Sequence, residues 1–238
     1  MEECPECGKE YKNIGQHWHY SPSHRPELTQ KQLEITRGLL MGDGYIFANT
    51  KNAELRVEMI SPNYLKYLDN IFRCLGRGLS MTLTAAKAAK NNRDTGFSPN
   101  AKEENYSDVY QWETRVHPKF NEFREWYSSG KKVWPEDIEL TPTVLKHWYV
   151  GDGHYHNSSS HNHIQISVSN EVKNTEKVFK YFSNVGLPQP SNHHISEQIK
   201  SENKKCDIVW GVEESYELWD YMGEPLPDFN YKWPEEYR

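Results

Sequence analysis

Apolar residues recur along the chain with two periods that alternate, one suited to helices and one to strands. Thr29 and Gln32 are spaced as a capping box, and Leu33, Ile35, Leu39 and Leu40 extend an apolar helix from it that should stop at Gly44. A polar turn at 49–52 follows. The period then shortens to two over Glu54, Leu55, Arg56, Val57, Glu58, Met59 and Ile60, a half-buried strand, and lengthens again in an amphipathic helix over 64–75. Strands over 78–84 and 106–117 and a helix over 118–128 close the first set. The second set opens on Thr141 as N-cap and Pro142 in the first turn, with a helix running to Gly153. After a turn at 157–161 come a strand over 163–168, a helix over 172–185, strands near 193–199 and 206–210, and a helix over 213–222. A polar, hairpin-like stretch after Gly44 and again after Gly153 brings the strands before each middle helix to two, so helix, two strands, helix, two strands, helix occurs twice. Between the third and fourth strands lies 85–106, where Lys87, Lys90, Arg93 and Lys102 beside Gly96, Ser98 and Pro99 predict a long basic loop.

The two sets share a chemical feature. Each opening helix ends in Gly-Asp-Gly, at Asp43 and again at Asp152, 109 residues later. Gly38 and Gly42 lie on one helix face and let another backbone approach closely. The first 25 residues differ, with Cys4, Cys7, His17, His19 and His24 in a segment too poor in apolar residues to fold on a core of its own. Cys4 and Cys7 followed by His19 and His24 approach two-Cys, two-His zinc spacing, with His17 competing with His19, and bound zinc supplies the missing folding energy. Cys74 and Cys206 read as buried, inert thiols, and the tryptophans as core.

At 238 residues with 26% charged and 13% aromatic residues, the chain is long enough for a substantial core. No stretch is apolar enough to cross a membrane and the N-terminus lacks signal-peptide features, so an intracellular (cytoplasmic) protein is expected. The net charge of −6 weighs against a nucleic-acid partner until its distribution is considered. Residues 50–132 carry 14 Lys and Arg against 10 acidic residues, whereas 201–238 carry 4 against 10. Phosphate contact depends on the local field, so DNA stays admissible. The acidic end, 224–238, reads as a solvated tail.

The paired Gly-Asp-Gly helices resemble the LAGLIDADG homing endonuclease family. Thr36 to Gly44 resembles a first motif copy and Leu145 to Gly153 a second. The linker from Gly130 to Pro135 and the Leu140-Thr141-Pro142 cap resemble the subgroup with aromatics before the second aspartate. The resemblance implies an α+β, pseudo-symmetric duplicated αββαββα homing-endonuclease fold with curved antiparallel sheets, preceded by the small zinc finger. Its expected divisions are a zinc module at 1–26, a first half at 27–129, a linker at 130–140, a second half at 141–223 and the tail.

It also implies a Mg²⁺-dependent, intron-encoded DNA endonuclease, monomeric and specific for a long double-stranded site. Asp43 and Asp152, with Gly42 and Gly151 beside them, would hold the metal. Lys146 and His147 depart from the small or apolar residues usual in the second motif. Arg56, Lys131, Lys132 and Gln165 are candidates to position water or contact DNA, and Lys87, Lys90 and Arg93 to contact DNA from the basic loop. The same scaffold also serves RNA-splicing maturases and DNA-binding regulators without cleavage, which makes RNA the alternative partner.

Overall fold

The computed structural model describes residues 1–48, 51–128, 130–158, 161–197 and 204–238. Parts of the expected turns at 49–52 and 157–161, and the end of the expected strand at 193–199, lie outside the described residues. The chain forms two compact units, the first comprising 1–32 and 46–121, the second 33–45 and 122–238.

The first unit opens with strands β1 (Glu2–Glu3) and β2 (Glu10–Tyr11), paired antiparallel around Cys4 to Lys9. Gly8 sits at φ 66°, which an ordinary side chain rarely adopts, and donates its N–H to the carbonyl of Cys4 at 2.8 Å, closing the turn between the two cysteines. Helix α1 (Ile14–Tyr20) follows, capped by Asn13, and it buries Ile14 and Trp18. Helix α2 (Gln30–Met41) starts from the expected box: Gln32 N–H donates to Thr29 Oγ1 at 3.2 Å, and Thr29 N–H to Gln32 Oε1 at 2.9 Å. The helix continues into the second unit.

Strand β3 (Gly44–Phe47) leads back to a four-stranded sheet of order β3-β4-β6-β5, with β4 at Glu54–Met59, β5 at Gly76–Leu83 and β6 at Val109–Thr114. The connection between β4 and β5 is helix α3 (Pro62–Phe72), whose Tyr64, Leu65, Leu68 and Phe72 are buried. Asp69 pins it to the sheet by accepting from Gly78 N–H at 3.0 Å and Trp112 Nε1–H at 2.9 Å.

The expected basic loop at 85–106 is in part a helix, α4 (Ala85–Asp94). Thr84 caps it by accepting from Lys87 N–H at 3.2 Å, and its alanines favour helix while Ala88 and Ala89 bury one face. The looser structure begins after it, at Gly96. The helix expected over 118–128 forms instead as a 3₁₀ stretch, Pro118–Tyr127. Its buried Phe120, Phe123 and Trp126 recur every third residue, the repeat of a 3₁₀ helix.

In the second unit, helix α5 (Pro142–Asp152) runs directly into β7 (Gly153–Ser158), followed by β8 (His161–Ser167), α6 (Thr175–Asn184), β9 (Asn192–Glu197), β10 (Lys204–Val209) and α7 (Val212–Met222). Its sheet has the order β7-β8-β10-β9, the same arrangement of first, second, fourth and third strands as in the first unit. Ile164, Ile166, Cys206 and Ile208 point to the core, so the alternating His163, Gln165, Ser167 and Asp207 lie on the opposite face.

Two expectations need correction in this light. The tail at 224–238 is not merely solvated: Leu226, Phe229 and Trp233 are buried, and the Trp233 ring packs edge-on to Tyr149 at 5.1 Å. The acids of the tail alternate with these apolar anchors, which hold it to α5. Cys206 is buried as expected, whereas Cys74 is half-buried and lines an open cleft.

Candidate active site and metal centres

Three glycines bring the motif helices together within the second unit. A Cβ on Gly38 would lie 2.5 Å from the carbonyl oxygen of Val144 and 2.7 Å from Cβ of His147, both on α5. One on Gly42 would lie 3.3 Å from Cα of Gly151, and one on Gly151 3.1 Å from the backbone N of Asp43. Backbone meets backbone at this crossing: a side chain on Gly38 would overlap α5, and one on Gly42 or Gly151 would push its neighbour back by a few tenths of an ångström. His147 is buried against Gly38, and Lys146 instead turns outward to donate to the carbonyl of Glu224 at 2.9 Å, so both departures from the motif are accommodated.

Because the helices finish at this contact, the aspartates that end them are neighbours. Oδ2 of Asp43 would be 3.5 Å from a Cβ on Gly151, the residue before Asp152. Asp43 keeps a solvent-facing surface and Asp152 is half-buried. Loss of surrounding water raises both carboxyls above the usual aspartate range, and for Asp152 the negative charge of Asp43 adds to this, pushing it to about 7.

Two lysines oppose that repulsion. Lys132 donates from Nζ to the carbonyls of Gly42 at 2.7 Å and Gly44 at 2.9 Å, capping the end of α2. Lys232 donates to Val150 and Gly153, each at 2.7 Å, capping the end of α5. Each cation meets the negative end of a helix dipole and stands near both carboxylates. Burial lowers the Lys232 ammonium to about 8 and also lowers Lys132, while the two aspartates act in the opposite direction. Lys132 is among the sequence candidates. Lys232 is not, because it lies in the segment read as an acidic tail, and its signal is the aromatic triplet of Phe229, Tyr231 and Trp233 around it.

The other candidates lie elsewhere. Arg56 on β4 pairs with Glu54 and, at 3.2 Å, with Glu113, and its guanidinium lies 3.6 Å over the Phe47 ring. Gln165 accepts from His156 Nε2 at 2.7 Å on the polar face of the second sheet. Lys87, Lys90 and Arg93 are carried on α4, with Lys90 exposed and Arg93 donating to the carbonyl of Ala101, and Lys131 is exposed.

In the first unit, ligand atoms of Cys4, Cys7, His17 and His24 all lie within 4.8 Å of one another. Cys7 Sγ is 3.7 Å from His17 Nε2, which is 3.1 Å from His24 Nδ1. Zinc–sulfur and zinc–nitrogen bonds of about 2.3 and 2.0 Å give tetrahedral edges of roughly 3.3–3.8 Å, close to the Cys7–His17 and His17–His24 separations, and the 4.8 Å limit leaves the rest about 1 Å to close. His19, placed in the expected tetrad, is not in this group; it is exposed on α1, while His17 stacks on Tyr11 with ring centroids 3.9 Å apart.

The sequence pattern of the LAGLIDADG DNA endonuclease family matches residues 33–206. The chain belongs to that family. Both LAGLIDADG motifs fall within the matched region, and the fold agrees. The homing endonuclease I-WcaI, solved bound to its DNA recognition sequence, is 17% identical and superposes with a TM-score of 0.67 over 96% of this chain and 95% of its own. The N-terminal LAGLIDADG domain of DUF199/WhiA, 12% identical, gives 0.47 over 90% and 94%. I-DmoI in complex with DNA and Mn, also 12% identical, gives 0.43 over 81% and 96%. Curated protein sequences include no match. No helix among the described residues is long and apolar enough to cross a membrane.

Proposed function

We propose that this LAGLIDADG protein is a site-specific, double-strand DNA endonuclease acting as a monomer, with divalent metal held by Asp43 and Asp152. One observation carries the reading: the ends of the two motif helices approach closely at glycines, and Asp43 stands near enough to Asp152 there for its charge to raise the Asp152 pKa. An oxygen-donor pair of this kind suits a hard divalent cation such as Mg²⁺, which relieves the repulsion. When bound, the cation lowers the pKa of a water and stabilises charge on the phosphate and on the leaving oxygen. The two aspartates hold the ion and orient it. Lys132 and Lys232 offset the anionic charge of a phosphate entering between the helix ends, and their carbonyl bonds fix where that charge is placed.

At the N-terminus, Cys4, Cys7, His17 and His24 are proposed to hold Zn²⁺, which supplies folding energy to a segment with little core of its own. Glu2 pairs with Arg115 at 2.5 Å, so the loaded module is bolted to the end of β6.

The test is incubation of the purified protein with an intronless copy of the gene flanking its own coding sequence, with and without Mg²⁺. A staggered double-strand break that requires Mg²⁺ is expected. Asp43→Asn and Asp152→Asn should each abolish cutting, a loss of at least about 10³-fold, while DNA binding persists. Undiminished cutting by either variant refutes the assignment.

A further inference from the structure

Lys132 lies in a segment, 130–141, that is neither helix nor strand, yet its ammonium meets two particular carbonyls. Something must fix the backbone that carries it. Two residues on, Trp134 is 2% exposed and edge-on to Trp148 of α5 at 5.2 Å. Both peptide groups of Trp134 are taken by one buried ion pair. Its N–H donates to Glu171 Oε1 at 2.6 Å and its carbonyl accepts from Lys177 Nζ at 2.8 Å. Glu171 Oε2 and Lys177 Nζ close the triangle at 2.8 Å, with side chains 1% and 5% exposed. The intervening Val133 N–H donates to the carbonyl of Trp126 at 2.7 Å, and Tyr181 donates its hydroxyl to the carbonyl of Pro135. Three consecutive residues after Lys132 are therefore tied down.

We infer that Glu171 and Lys177 are positioning residues for the active site: their buried pair clamps Trp134 and thereby sets where Lys132 places its charge. Desolvating two charges is costly, and such a pair is weak support for stability by itself. Its geometry is specific in a way stability does not require, since both charges are spent on a single residue's backbone. With two residues reaching at most about 7 Å, anchoring Trp134 limits the play of the Lys132 backbone to that scale, and the tie at Val133 reduces it further. The side-chain bonds described for Glu171 and Lys177 go to Trp134 and to each other, so they act on the site through the linker. The inference rests on the role of Lys132 proposed above.

The test compares wild type with E171Q/K177M, which removes both charges but leaves an amide oxygen at position 171 to accept from the Trp134 N–H. Acetylation of Lys132 by acetic anhydride, read by mass spectrometry against its exposed neighbour Lys131 in metal-free protein, should rise several-fold. With a duplex selected from a randomised pool by wild-type cleavage, kcat should fall about 10- to 100-fold while DNA affinity stays within about twofold, the usual effect of disturbing an outer-shell partner. Wild-type acetylation and kcat in the folded variant overturn the inference. Should the double variant not fold, E171Q alone decides by the same two readouts. A wild-type protein that cuts nothing in Mg²⁺ sinks the nuclease reading instead, and the acetylation comparison still decides whether the pair holds Lys132.

Discussion

At the scale of single residues, the helix crossing holds charge where water solvates it poorly. Asp152 titrates near 7 rather than near 3.8, because burial and Asp43 both favour its protonated form. A carboxyl raised in the folded state stabilises that state while protonated, and the advantage is lost as pH rises from about 4 through 7. Metal-free Asp152→Asn protein should therefore gain thermal stability relative to wild type across that window, by several degrees, and hold the gain above pH 7. Paired melting curves with excess chelator measure it, and a constant offset across the window contradicts the raised value. Asp43 and Asp152 were legible in the sequence because they close a repeated motif. Lys232 was not, since contact between a lysine near the C-terminus and the end of a helix about 80 residues earlier leaves no local pattern.

At the scale of elements, the glycines decide how near the helices come. Gly38→Ala puts a methyl 2.5 Å from a backbone oxygen that cannot yield without shifting α5, whereas Gly42→Ala meets its nearest atom at 3.3 Å. The first substitution should cost about 1–3 kcal/mol by denaturant unfolding and the second less, and the order is the point. Equal or reversed costs contradict the close crossing. Period and capping were enough to read the capping box at Thr29, three of the four strands in each sheet and the Gly-Gly approach, while the strands starting at Gly44 and Gly153 show no clear alternation. Both cues failed at 85–106, where Gly96 and Pro99 drew attention from the Thr84 cap and its alanines, and at 118–127, where the expected helix takes the 3₁₀ form that apolar residues three apart favour. The Glu171–Lys177 pair was illegible for another reason: isolated charges in a polar sequence give no sign that folding will bury them.

At the scale of the whole molecule, the fold is a LAGLIDADG scaffold, and the proposed zinc module is a metal-dependent appendage to it. Purified protein should carry one Zn²⁺ per chain by elemental analysis. Cys7→Ser and His17→Ala should lose it and melt about 10 °C lower, while His19→Ala keeps it. Retention by His17→Ala and loss by His19→Ala would instead restore the ligand set expected from spacing alone. Spacing could not choose between two histidines on one short helix, because only the direction of the helix face toward Cys7 separates them. The central claim, that one aspartate from each motif helix shares the catalytic cation, is tested most directly by anomalous diffraction from Mn²⁺-soaked crystals grown with a selected duplex above pH 7. A peak within about 2.5 Å of carboxylate oxygens from both Asp43 and Asp152 is expected. Manganese bound elsewhere beside an intact scissile phosphate, with neither aspartate in contact, would contradict it.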